Sequence, residues 1–480
     1  MRWPTYISGA LILLSTGCNF APKYSRPDFT LPATWRVEEE TGEDLANTTW
    51  WDQFKDPEMS RLIQLALHNN NDLQIAMWRV SEYLAQYQVA KSSLFPQISG
   101  NGGAVKEKFP VDADFLPAGT SPITPDYHLN LSLSYEFDFW GKVRNATTAA
   151  YASYLAQVEN RRTVVLTLVG SVAESYIYLK QLLLQLDTAT KIMELRKESV
   201  QIAKDRFEGG LTSKIEVDQS ISVYEETVAM VKELEKKVPQ QENLLSVLLG
   251  QAPGPIGKGV PLNELFLPNE VPSCLPEDLL TRRPDILKAE NNLIAANANI
   301  GVARAAFFPQ LSLSALYGVD HLSLQGLFAR SSRTWLLGGG IVQEIFTGGR
   351  LVSQLKIAEV QKQELVFSYQ QTILNALREV DDSLIGFQKN KEIFAANAAA
   401  VVALEDYLSL AWDRYYEGQT QYLTVLDAER EVLSAEMSMI AAEADQFLSL
   451  IGLYKAVGGG WVLGADAELI KETTNHNLVP

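Results

Sequence analysis

Residues able to do bond chemistry are scarce in this sequence, and their spacing suits none. Four histidines, at 68, 128, 321 and 476, stand far apart, with no HExxH run and no ligand-like pairing. The two cysteines, Cys18 and Cys274, form no metal motif. There is no P-loop lysine and no GxSxG elbow. The Gly-Gly-Gly runs at 338 and 458 fall on a candidate strand and near a helix end, not before a phosphate-binding helix. The sequence therefore points to no enzyme, no metal and no cofactor, and any use of ATP would have to come from a partner. What remains is electrostatic. Asp427 and Arg430 lie one turn apart on a candidate helix, with Leu423 a turn earlier. Alone they make an exposed i,i+3 ion pair worth roughly a few tenths of a kcal/mol. Repeated around a symmetry axis, Asp427 becomes a ring of carboxylates that narrows a pore electrostatically and favours cations.

The elements that would carry such a ring follow from an internal repeat. The stretch from Asp72 to Ser99 matches that from Asp285 to Ser312, with Phe95-Pro96-Gln97 falling on Phe308-Pro309-Gln310. Farther on, Glu136, Gly141 and Lys142 match Glu344, Gly349 and Arg350. Arg206, Phe207 and Gly210 match Arg414, Tyr415 and Gly418. Each half reads helix, strand, loop, strand, very long helix, tight turn, helix. The halves are taken as 61–250 and 283–458, joined by a proline-rich connector, 251–282, expected to be extended and outside any core. The long helices are expected over 142–208 and 350–417, about 100 Å each by helical rise. In the first, Val165, Leu168, Val172, Tyr176, Leu179, Leu183, Leu186, Thr190 and Met193 trace a coiled-coil-like seam. Short helices at 72–94 and 212–249, and again at 285–307 and 420–457, could pair end to end into a second rod of similar length. Pro239, Gly250 and Gly458 are read as breaks or ends. The turns near 209–211 and 418–420 are glycine-capped helical reversals.

Four strands are expected, at 97–105, 127–139, 310–320 and 333–346. The second alternates: Tyr127, Leu129, Leu131, Leu133, Tyr135, Phe137 and Phe139 share one face, His128, Asn130, Ser132, Ser134, Glu136 and Asp138 the other. Each strand is long enough to cross a bilayer core. A membrane sheet cannot leave edges open, and four strands cannot close a barrel by themselves. Cyclic assembly can: two chains give eight staves and a filled interior, three give twelve and a lumen.

Net charge is −17, which argues against a nucleic-acid partner. No uninterrupted apolar run reaches the roughly 18 residues of a spanning helix. Residues 1–17 read as a signal peptide: Arg2, a short apolar run, then Cys18. The pattern resembles a bacterial lipoprotein signal with Cys18 as the acylated first residue, although Leu14 stands four rather than three residues before it. The other reading is an ordinary secretory signal cleaved nearby. Residues 18–60 are then a lipidated N-terminal segment and 459–480 a tail. Cys274 reads as an isolated thiol.

Several motifs together carry a family resemblance. They are "CNFAPKYSRPDFTLPATW" from Cys18, "WWDQFKDPEMSRLIQLALHNNNDL" from Trp50, "RRPDI" from Arg282, the two FPQ motifs and "RYYEGQTQYLTVLDAER" from Arg414. In this order the chain resembles the TolC-like outer-membrane efflux proteins, in their lipoprotein (OprM-like or NodT) branch. The resemblance implies a mainly α protein with a membrane β-barrel: a homotrimer sharing a 12-stranded barrel above a long α-helical tunnel. It implies a passive exit duct in the outer membrane, fed by a periplasmic adaptor protein and an inner-membrane pump of the RND type. It also implies that Leu423, Asp427 and Arg430 line the periplasmic aperture and that Arg206, Gly210, Arg414 and Gly418 mark tips that meet the adaptor. Some relatives place a second acid where this chain has Thr424. Metal ions or a secreted polypeptide are alternative cargoes. A non-conducting coiled-coil scaffold and a cell-wall enzyme are the readings outside the channel class.

Overall fold

The computed structural model describes residues 19–36, 49–108, 110, 123–268, 275–458 and 461–462. Cys18 and Cys274, and with them the signal peptide and most of the C-terminal tail, lie outside the described residues. In chain order the elements are α1 (Pro57–Asn69), α2 (Asn71–Ser92), β1 (Gln97–Lys108), β2 (Ile123–Phe137), α3 (Lys142–Glu208), α4 (Lys214–Leu248) and α5 (Leu279–Arg282). Then come α6 (Pro284–Ala305), β3 (Gln310–His321), β4 (Arg333–Val342), α7 (Arg350–Tyr416) and α8 (Tyr422–Val457). Both long helices run unbroken for 67 residues.

The chain divides into two compact units, and each draws on both halves of the repeat. The first takes in the described residues of Met1–Asp28, Arg79–Gln157 and Lys288–Tyr369. It holds one antiparallel sheet in the order β1-β2-β3-β4. The two hairpins meet through β2 and β3, with Leu131 opposite Tyr317 and Leu133 opposite Ala315. One face collects Ile98, Leu129, Leu131, Leu133, Leu313, Tyr317, Trp335 and Ile341 by register. Many of these are exposed, Leu131 at 59% and Trp335 at 75%. The opposite face is mostly polar and bonds across strands: Ser99 to Ser132 at 2.7 Å, Asn101 to Ser132 at 3.0 Å. Leu316 and Leu336, paired with each other, interrupt it. Among the described residues, β1 and β4 each pair on one side only.

β2 ends at Phe137, two residues before the expected Phe139. The cause is Asp138, whose carboxylate accepts from the backbone of Val143 (2.9 Å) and Arg144 (2.8 Å) and so opens α3. β4 likewise stops at Val342, short of the expected 346. Residues 19–28, without regular secondary structure, pack within this unit. Phe20 stacks on Phe308 at 4.4 Å, Trp140 stacks on Phe308 at 4.9 Å, and Arg26 makes a two-nitrogen fork with Glu290 (2.9 and 2.6 Å). Thus one of the two FPQ phenylalanines serves as an anchor point.

The second unit takes in the described residues of Phe29–Trp78, Val158–Leu287 and Gln370–Pro480. Its core packs Trp50, Trp51 and Phe54 with α1 against α3, α4 and α8. At its centre lies a buried polar knot: Lys180 Nζ is 2.8 Å from Asp56, and Tyr176 donates to the same carboxylate at 3.0 Å. Lys180 also donates to the carbonyls of Lys258 and Val260.

That last contact corrects the expectation for residues 251–282. The connector is no mere spacer, because Leu262 and Leu279 are buried at 1% each and its free carbonyls satisfy a buried amine. Pro239 also differs from expectation: it lies inside α4 and does not break it. The proline and Glu235, whose carbonyl loses its helical partner, are both exposed, so water can take up that carbonyl. Gly250 and Gly458 do follow helix ends, both at positive φ.

α7 contains a stretch apolar enough, at mean hydropathy 1.4, to pass for a membrane span by length and composition, yet only 6% of it is buried in the chain. Its exposed side chains include Val402 and Leu410.

Candidate functional site

The two helical reversals are built alike. Gly210 has φ +70° and Gly418 φ +73°, the left-handed conformation that a residue with a Cβ resists. At the first, Leu211 N–H donates to the Arg206 carbonyl (2.8 Å) and Gly210 N–H to that of Phe207 (2.9 Å). At the second, Gln419 N–H donates to the Arg414 carbonyl (2.8 Å) and Gly418 N–H to that of Tyr415 (3.0 Å). These paired bonds are Schellman caps, so Arg206 and Arg414 each supply the carbonyl that closes a cap. Around the first turn Phe207, Leu211 (73%) and Ile215 (67%) are exposed, and Tyr416 is exposed beside the second.

The reversals also touch. The Arg206 guanidinium lies 5.3 Å from the Tyr415 ring centre. Tyr415 donates its hydroxyl hydrogen to Glu216 Oε2 at 2.9 Å. Burial first, and then this bond, raises the Tyr415 pKa and keeps the phenol a donor. At the first residue of α8, the Tyr422 hydroxyl accepts from Ser220 of α4 at 3.1 Å; burial pushes that phenol up to about 12.

On α8, Leu423 (43%) and Asp427 are exposed as an aperture would require. Arg430 does not serve as an i,i+3 partner to Asp427. It reaches across to α4 and meets Glu226 at 3.2 and 3.3 Å. Thr424, where some relatives carry an acid, instead accepts from Thr420 at 3.0 Å. Between α4 and α8 lies an open groove of about 430 Å³ bordered by Glu226, Thr227, Met230, Arg430 and Met437, with Arg196 of α3 at its floor.

Glu216, Glu226, Arg196 and Glu429 were not singled out from the sequence, and Tyr415 only as the repeat partner of Phe207. For Arg196 a signal existed. Buried residues of α3 form a row at strict seven-residue steps, Leu168, Ser175, Leu182, Ala189, Arg196 and Ala203. The seam drawn through Leu183, Leu186 and Met193 leaves that row after Leu168.

Comparison with known proteins agrees with this architecture. The sequence pattern of the family described as "Outer membrane efflux protein" matches residues 62–251 and 275–459. The chain is 37% identical to the solvent efflux pump outer membrane protein SrpC of Pseudomonas putida, over 96% of this chain and 99% of the relative. It is 33% identical to the cation efflux system protein CusC of Escherichia coli, over 94% and 97%. Among solved structures, the Campylobacter jejuni CmeC outer membrane channel superposes with a TM-score of 0.86 at 25% identity, covering 95% of this chain and 98% of that one. The open state of the Neisseria gonorrhoeae MtrE outer membrane channel gives 0.83 at 28%, covering 92% and 99%.

Proposed function

The chain belongs to the outer membrane efflux protein family, and from that premise we propose that it passes small toxic compounds outward through a gate at Asp427. It is an outer-membrane channel that extends into the periplasm, and it works in a tripartite system with an adaptor and an inner-membrane pump. Its family comprises efflux channels, not enzymes. Energy therefore enters at the pump, and this chain opens and conducts.

The observation that carries the reading is the four-stranded sheet that, among the described residues, has an unpaired edge at β1 and another at β4. In lipid each unpaired backbone group costs several kcal/mol. Three protomers joined edge to edge remove every edge and give twelve strands, enough for a lumen. The apolar face of β2 then meets lipid, and Asn130 and Ser132 meet water. The exposed side chains of α7 find their partners in neighbouring protomers.

At the other end of the long helices, the exposed Phe207, Leu211, Ile215 and Tyr416 beside the two capped turns offer the adaptor an apolar footing, with Arg206, Gly210, Arg414 and Gly418 shaping it. Leu423 and Asp427 face outward from α8 where three copies would ring the axis, and Arg430 ties that helix to α4. Cys18, two residues before Phe20, is the acylated residue.

The cargo reading rests on the 37% identity to a solvent efflux protein. Expressed with the toluene pump and adaptor of Pseudomonas putida in a strain lacking its own exit duct, the chain is expected to restore survival under toluene. Unrestored tolerance, with the trimer present in the outer membrane, contradicts this cargo.

A further inference from the structure

A charged residue sits where the helical core should be apolar. Arg196 occupies a seven-residue core position of α3, and its side chain is 5% exposed. Its guanidinium is divided between two neighbouring helices. Nη1 donates to Thr227 Oγ1 and to the Val223 carbonyl (3.4 Å), both on α4. Nη2 donates to the Glu429 carbonyl on α8 at 3.2 Å. Nε faces the Glu429 carboxylate at 3.8 Å. That distance is an ion pair but not a hydrogen bond. Arg196 Nε and Glu429 Oε2 are both buried without a hydrogen-bond partner among the described residues.

We propose that Arg196 is a positioning residue for the gate: with Glu429 it forms a buried strut that holds α8, and the Asp427 it carries, against α3 and α4. The proposal rests on the reading of Asp427 as the aperture. Glu429 lies two residues beyond Asp427 on the same helix, so α8 cannot swing outward without pulling Glu429 from Arg196. The guanidinium keeps both of its bonds to α4 when that happens, so it is the anchored member and Glu429 the one released. The neighbouring Arg430–Glu226 pair is half exposed, at 44% and 57%, and holds little by comparison.

The strut is imperfect by construction. A buried ion pair with unmet hydrogen bonds stabilises weakly, because desolvation offsets attraction; removing one member strands a buried charge. Glu429, Glu436 and Glu443 stand seven residues apart on α8, and burial raises the pKa of all three carboxyls. Only Glu429 has a cation, Arg196, acting against that rise, whereas Glu405 of α7 raises Glu436 further. The other charged or titratable groups about the pair are Glu226 of α4 and Arg430 and Tyr422 of α8.

The test is open probability of the purified trimer in planar bilayers as a function of pH, with trimer assembly checked by gel filtration. Arg196→Met is expected to raise opening at neutral pH by about tenfold or more, the scale of a stranded buried charge. Glu429→Gln leaves the buried Arg196 charge without its counterpart and is expected to raise opening as well and to flatten the pH dependence, which a merely structural arginine would not alter. The double variant Arg196→Met/Glu429→Leu carries no buried charge and is expected to return opening toward the parent. If Arg196→Met fails to assemble, Arg196→Lys, which keeps the charge but not the three-way fork, is expected to open more readily than the parent. Parent-like opening and pH profile in assembled Arg196 and Glu429 variants, while Asp427→Ala conducts more, overturns the strut and leaves the aperture standing. Unchanged conductance in Asp427→Ala overturns the aperture and the strut together.

Discussion

A single amine, Lys180 Nζ, ties three separate stretches of sequence together: Asp56 before α1, the connector carbonyls at 258 and 260, and α3 itself. Its carboxylate partner is fully buried, so Lys180→Met leaves a charge with no counterpart and should cost about 3–5 kcal/mol of stability. Chemical denaturation of the helical unit measures that loss. Tyr415→Phe is milder. It deletes one hydrogen bond to Glu216, worth about 1 kcal/mol or somewhat more to a charged acceptor, and should ease opening without disturbing assembly. Residue-level legibility was uneven for a physical reason. Gly210 and Gly418 stood out because left-handed backbone narrows the choice of residue, and the repeat showed the requirement twice. Arg196 did not, since an arginine three residues from a plausible seam methionine looks like a surface residue until the seven-residue row through Leu168, Leu182 and Ala189 is followed to it.

At the scale of elements, the long helices were readable almost to the residue. A 67-residue span without proline leaves a helix little else to do, and Asp138 and Gly210 mark the two limits of α3. What could not be read is where a local rule is overridden by solvent. Pro239 sits mid-helix because its ring and the carbonyl it orphans both face water. Pro239→Ala should therefore stabilise α4 by up to about 3 kcal/mol, seen as a higher unfolding midpoint. Gly418→Ala should cost about 1–2 kcal/mol through backbone strain alone, because a Cβ there meets no atom within 4 Å. The connector was misjudged for the opposite reason: proline denies it a ladder, but its spare carbonyls and a few leucines found uses in the core.

For the whole molecule, the duplication and the count of four strands were visible in the sequence, and both unpaired edges follow from them. The division into compact units was not, because each unit assembles corresponding pieces of both repeats instead of one repeat apiece. The central claim is that three such chains close a barrel over a tunnel that is gated at Asp427. Single-channel recording of the purified trimer in planar bilayers tests it most directly. A small, mostly closed conductance that rises severalfold in Asp427→Ala or Arg430→Ala is the predicted result; an assembled trimer that never conducts, with or without those substitutions, would contradict it.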